Sequence, residues 1–512
     1  MSVALRLDKA SYHVTENVCE LCRYDKASAG PQASMTRHRL VLGAFFILAG
    51  LCCIANADYK KVPKVTIKQG TLRGKVIKAA SNREIYTFLG IPYAKPPQRF
   101  KLAEAAEPWK GEWDATNNRS ICTQEKLPSL HFVGEEDCLF ANVYTTNKLP
   151  RDIEGELAPV VVYIHGGIFQ HMSGDFENYD PTYLLNDYQP IVLLLQWIRD
   201  NIAAFGGDAK RVTLMGDNAG AISAHWHMLS PLSKGLFHGV ISQCGTALTH
   251  WAMSRDPRGR FHRLAELVDC GDNTTSSRDI IKCMEDLDAR KIVRSSQAVL
   301  KWRTDWISPF LPSVESQDWS NGGAFLPDYP RNLMYDKKFY PVPWLTGVTS
   351  QAGTPHTLQL MLFSNMRNDL NKEFEHYAPY YFELDGELED AKKAAKKIRS
   401  FYFKGHPITQ GSQTELSEMH TDYYYFVPLI QSAAYHVTAG APPVYIYHFS
   451  YQFRKSPLAK GVPQGDDTQY VVPKADMDYA LPKSNDEIKI ANRLRKAIRN
   501  FIRNGKPIED GD

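Results

Sequence analysis

Excess charge of one sign is what this sequence lacks most: 60 Lys and Arg stand against 57 Asp and Glu, a net +3 over 512 residues. So even a balance gives no electrostatic reason for a nucleic-acid partner. The densest basic run, Lys489, Arg493, Arg495, Lys496, Arg499 and Arg503, falls on the polar side of a helix-like segment and reads as a solvated face. Internal repeats and low-complexity blocks are missing, which excludes solenoids and propellers. Long apolar runs are confined to one, Leu40 to Ala57. Cysteine is sparse at nine, and Cys19-x-x-Cys22 has no second such pair to complete a metal site. What remains, 43% hydrophobic and 23% charged residues, is ordinary globular composition and enough for a large core.

Arg37-His38-Arg39 precede the apolar run, and Ala55-Asn56-Ala57 close it before the polar Asp58-Tyr59-Lys60-Lys61. A basic flank, a short apolar stretch and a small-x-small end make a secretory signal peptide, here residues 35–57 counted from Met35. Residues 1–34 then form an N-terminal extension, disordered or outside the true product, and 58–512 the mature domain. The rival is a signal anchor, with the rest of the chain outside the cell and the membrane as a partner. Five mature cysteines, Cys122, Cys138, Cys244, Cys270 and Cys283, suit an oxidising compartment. Asn118-Arg-Ser120 and Asn273-Thr-Thr275 are glycosylation sequons, meaningful on export.

Strand-like and helix-like segments alternate after the leader, which predicts an α/β sheet. Val62 to Val76 reads as a hairpin. Pro159 to Ile164, Arg211 to Gly216 and Pro443 to Phe449 are short β-branched or aromatic runs of the kind found in buried strands. Leu195 to Phe205 has helical spacing and stops at Gly206-Gly207. Ser484 to Asn504 reads as an amphipathic helix: Ser484 and Glu487 make a capping box, Ile490, Leu494, Ile498 and Phe501 share a face, and Gly505 and Pro507 end it.

Four segments together resemble the type-B carboxylesterase and cholinesterase family. They are Phe88-Leu-Gly-Ile-Pro-Tyr-Ala-Lys-Pro-Pro97 with Arg99-Phe100; Glu136-Asp-Cys-Leu139 with Asn142-Val-Tyr144; His165-Gly166-Gly167 after a strand; and Asn201-Ile-Ala-Ala-Phe-Gly-Gly-Asp208 with Arg211-Val-Thr213. The resemblance covers residues 62–512 and implies an α/β-hydrolase fold, with a central, mostly parallel sheet and helices on both faces. It also implies bridges Cys122–Cys138 and Cys270–Cys283, leaving Cys244 as a buried thiol.

Ester hydrolysis in this fold needs a Ser on a strained elbow, a His to move its proton, an acid to orient that His, and N–H groups for the oxyanion. The elbow here reads Gly216-Asp217-Asn218-Ala219-Gly220. Asn218 stands in the nucleophile position, and a carboxamide nitrogen, delocalised into its carbonyl, is no nucleophile. Asn does tolerate positive φ, so the turn can survive the exchange. The resemblance places the acid at Ala352, in Trp344 to Gly353, and the His at Gln464, in Gly461 to Asp467. Neither side chain can titrate near neutral pH. Gly166, Gly167 and Ala219 keep the outline of the oxyanion hole; with no nucleophile to serve, tight backbone packing is the better reason for them. His225 and His227, just past the elbow, are the candidate bases for a rerouted reaction, though helical histidines there more often pack.

His165 and Asn218 lie 53 positions apart, a few tens fewer than the resemblance implies. A segment is therefore missing near 180–196, leaving only Pro190 to Leu195 to act as its strand, and the C-terminus is short. Such a chain is expected to fold poorly. Three functions follow from the resemblance and its departures. The first is a secreted esterase-like protein without catalysis, using its surface to bind or adhere to an extracellular protein. The second is an ester hydrolase with residual or rerouted activity. The third is a carrier that holds a hydrophobic small molecule without turning it over. None needs a metal or cofactor, and none involves nucleic acid.

Overall fold

The computed structural model describes residues 2–5 and, with breaks, 62–509; the longest breaks are 147–155, 180–191, 453–460 and 474–483. Nine strands build the main sheet: β1 (Ser2–Leu5), β2 (Lys75–Lys78), β3 (Glu84–Pro92), β4 (Phe140–Thr145), β5 (Ala158–Ile164), β6 (Gly207–Asp217), β7 (Gly239–Gln243), β8 (Trp344–Thr349) and β9 (Val444–Phe449). Their spatial order is β9-β8-β7-β6-β5-β1-β4-β3-β2. From β5 to β9 all neighbours are parallel. This is the α/β sheet that the alternating segments predict, in the α/β-hydrolase architecture that the resemblance implies.

The β-branched run of β5 shows why this segment is a central strand. Val160, Val162 and Ile164 enter one core cluster, and Val161 and Tyr163 enter another, so successive side chains feed opposite faces. Helices cover both. Ala224 and Met228, from the helix Ala219–Leu229, pack in the first cluster; Ile498 and Phe501, from the helix Asn485–Asn504, pack in the second. That last helix starts as its sequence predicts. Ser484 Oγ accepts the Glu487 N–H at 3.3 Å, Glu487 returns a bond to the Ser484 N–H at 2.8 Å, and Gly505 closes the helix at φ 70°.

Two expectations change. Val192 to Leu195 are not a strand but the first turn of the helix Val192–Asn201. The helical period prevails because Leu195, Ile198 and Ile202 all reach the core on one side. The preceding residues, 180–191, where the missing segment was placed, lie outside the described residues. The strand between β4 and β5 comes instead from the N-terminal extension. Ser2–Leu5 pairs antiparallel with β5, from Ser2 opposite Tyr163 to Leu5 opposite Val160, and parallel with β4 at Asn142 and Val143. The signal-like run Leu40–Ala57 lies outside the described residues. Among those described, no helix is long and apolar enough to cross a membrane.

Both disulfides that the resemblance implies are formed, Cys122–Cys138 and Cys270–Cys283, and Cys244 is a buried free thiol. Asn118 and Asn273 are both exposed.

Candidate active site

The carboxyl ends of β6, β7, β8 and β9 share one end of the sheet, where ligands of open α/β folds bind. β6 ends at Asp217, and the following helix begins at Ala219. Asn218, between them, takes φ 52° and ψ −119°. The elbow therefore keeps its strained shape, at a residue that tolerates positive φ. Its glycines are there for packing: a Cβ on Gly220 would sit 1.9 Å from the Ile164 carbonyl oxygen, and one on Gly216 would sit 2.4 Å from the Gly220 backbone. Gly166 makes room in the same way beside Asp217 and Asn218, and Gly167 turns the chain at φ 101°.

Asn218 is only 5% exposed, and its side chain bonds to its surroundings. Its carbonyl oxygen accepts the Ile168 N–H at 3.1 Å, across from the elbow. The carboxamide also hydrogen-bonds the Tyr425 hydroxyl. The Ile168 N–H belongs to the loop after β5, next to Gly166 and Gly167. The residue at the elbow's tip is thus tied to the backbone of the loop after β5.

The acid and base segments also meet. Gln351 and Pro463 form a parallel bridge, with the Gln351 N–H donating to the Val462 carbonyl at 2.9 Å. Ala352 next to it is completely buried, in the apolar cluster that also holds Ala219, Cys244 and Tyr425. Gln464 follows on the bridged loop and is partly exposed. Just after that loop, on the short helix Asp466–Gln469, Asp467 holds a buried carboxyl group. It accepts from Tyr447 Oη at 2.5 Å and Gln243 Nε2 at 3.2 Å, and burial pushes its pKa up despite both donors. Cys244, at φ 51°, is held near Thr349, and burial together with the nearby Asp467 keeps its thiol protonated.

His225 and His227 are both held in the interior. His225 Nδ1 accepts the Ala247 N–H at 3.0 Å, so its proton sits on Nε2, which faces His436 Nε2 at 3.0 Å. His225 also lies against the Trp344 ring. His227 bonds Ser233 Oγ at 2.8 Å, and burial lowers its pKa to about 4. Both are interior packing residues. No residue pattern announces three groups at or beside the elbow. Ile168 acts through its backbone. Tyr425 lies in the π-helical turn Asp422–Phe426, and its only sequence trace is the aromatic run there. His356 meets Tyr425 Oη at 3.2 Å from the helix after Ala352, with its pKa lowered by burial to about 3.

The carboxylesterase family model matches residues 61–194 and 190–512, in two pieces that meet where the helix Val192–Asn201 begins. Esterase E4 of Myzus persicae is 32% identical, over 91% of this chain and 90% of its own length. Juvenile hormone esterase of Tribolium castaneum is 27% identical, over 87% and 84%. Among solved structures, juvenile hormone esterase from Manduca sexta with OTFP covalently attached superposes with a TM-score of 0.76 at 25% identity, over 87% of this chain and 91% of that one. With the sheet, the elbow and the bridged loops in place, this chain belongs to the carboxylesterase family.

Proposed function

We propose that this protein is a carboxylesterase-family member that does not hydrolyse esters and works as an extracellular binding protein. One observation carries the reading: the Asn218 carboxamide accepts the Ile168 N–H and so occupies the place of both nucleophile and oxyanion. Ala352 and Gln464 supply no base and no acid at the other two positions. Function then lies on the surface, in contacts with an extracellular protein partner, with glycans at Asn118 and Asn273.

A second reading, ester hydrolysis through other residues, draws on the relatives, which bear esterase and hydrolase names. Its best candidates are His356 and Tyr425. They make a weak pair: burial leaves His356 a poor base at neutral pH and raises the Tyr425 hydroxyl far above its ordinary range. A third, a carrier of a hydrophobic small molecule, draws on the aromatic group over the elbow, where Phe169 stacks on Trp226 at 5.6 Å. Incubation with a chromogenic short-chain aryl ester and with an organophosphate tests the first reading. No turnover above background and no covalent adduct is expected; labelling at any residue refutes it.

A further inference from the structure

Asp467 brings a carboxyl group into the interior beside the elbow, where the Gln243 backbone carbonyl accepts the Asn218 N–H at 3.0 Å. Asp467 and Gln243 are both wholly buried, at 0% exposure. Asp467 Oδ2 accepts twice, from Tyr447 Oη at 2.5 Å and from Gln243 Nε2 at 3.2 Å. Asp467 Oδ1 has no partner, and neither has Gln243 Oε1. Two side chains already joined by one hydrogen bond thus each keep an orphaned acceptor.

The groups around this carboxyl do not compensate a charge on it. Its ionised form is favoured by Tyr447, by Gln243 and by the backbone at Asp467 and Thr468, and by no cation among the described residues. On β9 its neighbour is the Tyr447 phenol, and just after β7 the Cys244 thiol; burial and Asp467 itself hold both protonated. Asp217, at the end of β6, is a second acid acting on the same thiol. Arg495, on the helix Asn485–Asn504, donates to the Tyr470 carbonyl instead. A wholly buried charge without a cation is usually neutralised by a proton, and an unmet buried acceptor is costly in itself. One proton removes both faults. In the neutral acid, Oδ1–H donates to Gln243 Oε1 while Gln243 Nε2 donates to Oδ2, a ring closed by two bonds.

We infer that Asp467 is a proton latch: as a neutral acid bonded to Gln243 Oε1 it fastens residues 461–469 to β7 and β9, and on ionising it lets them go. Ionisation sends the proton to solvent and leaves two bare oxygens, Oδ1 and Oε1, against each other. The fastened residues include Gln464 and the bridge beside Ala352, where the Gln351 N–H donates to the Val462 carbonyl at 2.9 Å and the Val462 N–H to Ser350 Oγ at 3.0 Å. Burial raises the folded pKa of Asp467 above the ordinary 3.8. The latch is therefore at full strength below 3.8 and is lost as pH rises through the folded value, opposite in sign to the buried histidines.

Hydrogen exchange of residues 461–469, read by mass spectrometry on the full chain and on Asp467→Asn, is the test. Asparagine reproduces each bond of the neutral acid, with Nδ2 toward Gln243 Oε1, and cannot ionise. Taking the ratio of parent to variant at each pH cancels the intrinsic pH dependence of exchange. From about pH 4 to 8 that ratio should rise about tenfold for each pH unit between the ordinary and the folded pKa, then level off. Infrared difference spectra of parent against variant should show the carbonyl stretch of a protonated acid at about pH 5, replaced by carboxylate bands once the ratio levels off. A flat ratio, a carboxylate band already present at about pH 5, or an Asp467→Asn chain that does not fold overturns the inference, the last because it would show that the fold needs the negative charge.

Discussion

Replacing Asn218 by alanine strands the Ile168 N–H, which now has the Asn218 carbonyl at 3.1 Å. A buried donor left without a partner destabilises by about 1–3 kcal/mol. Tyr425 loses one partner but keeps His356 at 3.2 Å, so its share is small. The backbone adds a separate penalty. Residue 218 sits at φ 52°, and alanine there costs roughly 1 kcal/mol more than asparagine, while glycine costs nothing of this kind. Asn218→Ala should therefore lose about 2–4 kcal/mol and Asn218→Gly about 1–3 kcal/mol, the order parent, glycine, alanine being firmer than either value. A water that enters the vacated space would move both toward the low end. Urea unfolding of the three proteins, with the slopes compared, measures the order. Acetamide, which carries the same carbonyl, should recover stability in Asn218→Gly and leave the parent unchanged. If Asn218→Ala unfolds within about 0.5 kcal/mol of the parent, as a surface substitution would, the bond to Ile168 is not holding the elbow.

Rebuilding the chemistry needs all three positions. Asn218→Ser alone should stay at the weak residual rate of a site without base or acid, whereas adding Ala352→Glu and Gln464→His should give measurable ester turnover; a folded triple variant with none would refute the assignment of those positions. Acid should destabilise the fold. His227 and His356 have folded pKa values near 4 and 3, below the unfolded value of 6.5, so stability is complete above pH 6.5 and falls as pH drops toward them. At pH 5 each histidine should remove about 2 kcal/mol, and a thermal midpoint flat from pH 7 to 5 would contradict their burial as neutral rings. Peptide mass mapping of exported material should find both disulfides, a reduced Cys244 and glycans at Asn118 and Asn273; alkylation of native Cys244 would show that it is not buried. Val3→Pro in the full chain should lower the unfolding midpoint, because a central strand cannot lose a ladder donor, and an unchanged midpoint would place Ser2–Leu5 outside the sheet.

The parts of the fold that were legible in the sequence are those set by local period and local sterics. The run Val160-Val161-Val162 could only be a strand buried on both faces, and Ser484 with Glu487 could only open a helix. The elbow was legible because Gly216 and Gly220 fit a contact that no Cβ can enter. Ile168 was not, because a backbone N–H leaves no mark on residue type; only its position after His165-Gly166-Gly167 could have flagged it. Tyr425 reaches Asn218 from more than a hundred positions away, through a π-helical turn that no hydrophobic period announces, and His356 meets Tyr425 from a separate helix. The start of the helix Val192–Asn201 was misjudged for a different reason. A short apolar run fits a strand as well as a helix, and tertiary packing of Leu195, Ile198 and Ile202 decides.

The strand Ser2–Leu5 and the cleavage pattern Ala55-Asn56-Ala57 make opposite demands on one molecule. β4 and β5 are buried on both faces: Ala141, Val143, Val160, Val162 and Tyr163 are all out of contact with solvent. Cleavage after Ala57 would carry Ser2–Leu5 away with the leader and unpair Val160 to Tyr163 on β5 and Asn142 and Val143 on β4. At about 1–3 kcal/mol for each unpaired buried group, the loss approaches the whole stability of a domain, about 5–15 kcal/mol. A cleaved, folded protein must therefore place another strand in that slot. Residues 192–194, within the overlap of the two pieces of the family match, belong to the start of the helix Val192–Asn201 and supply none. Retention of the N-terminus and secretion by cleavage thus exclude each other for this sequence, and the intact mass of the exported protein decides between them. A mass that includes residues 1–57 means that the leader is a structural strand and its tether; a mass that starts at Asp58 means that the slot holds a strand from elsewhere.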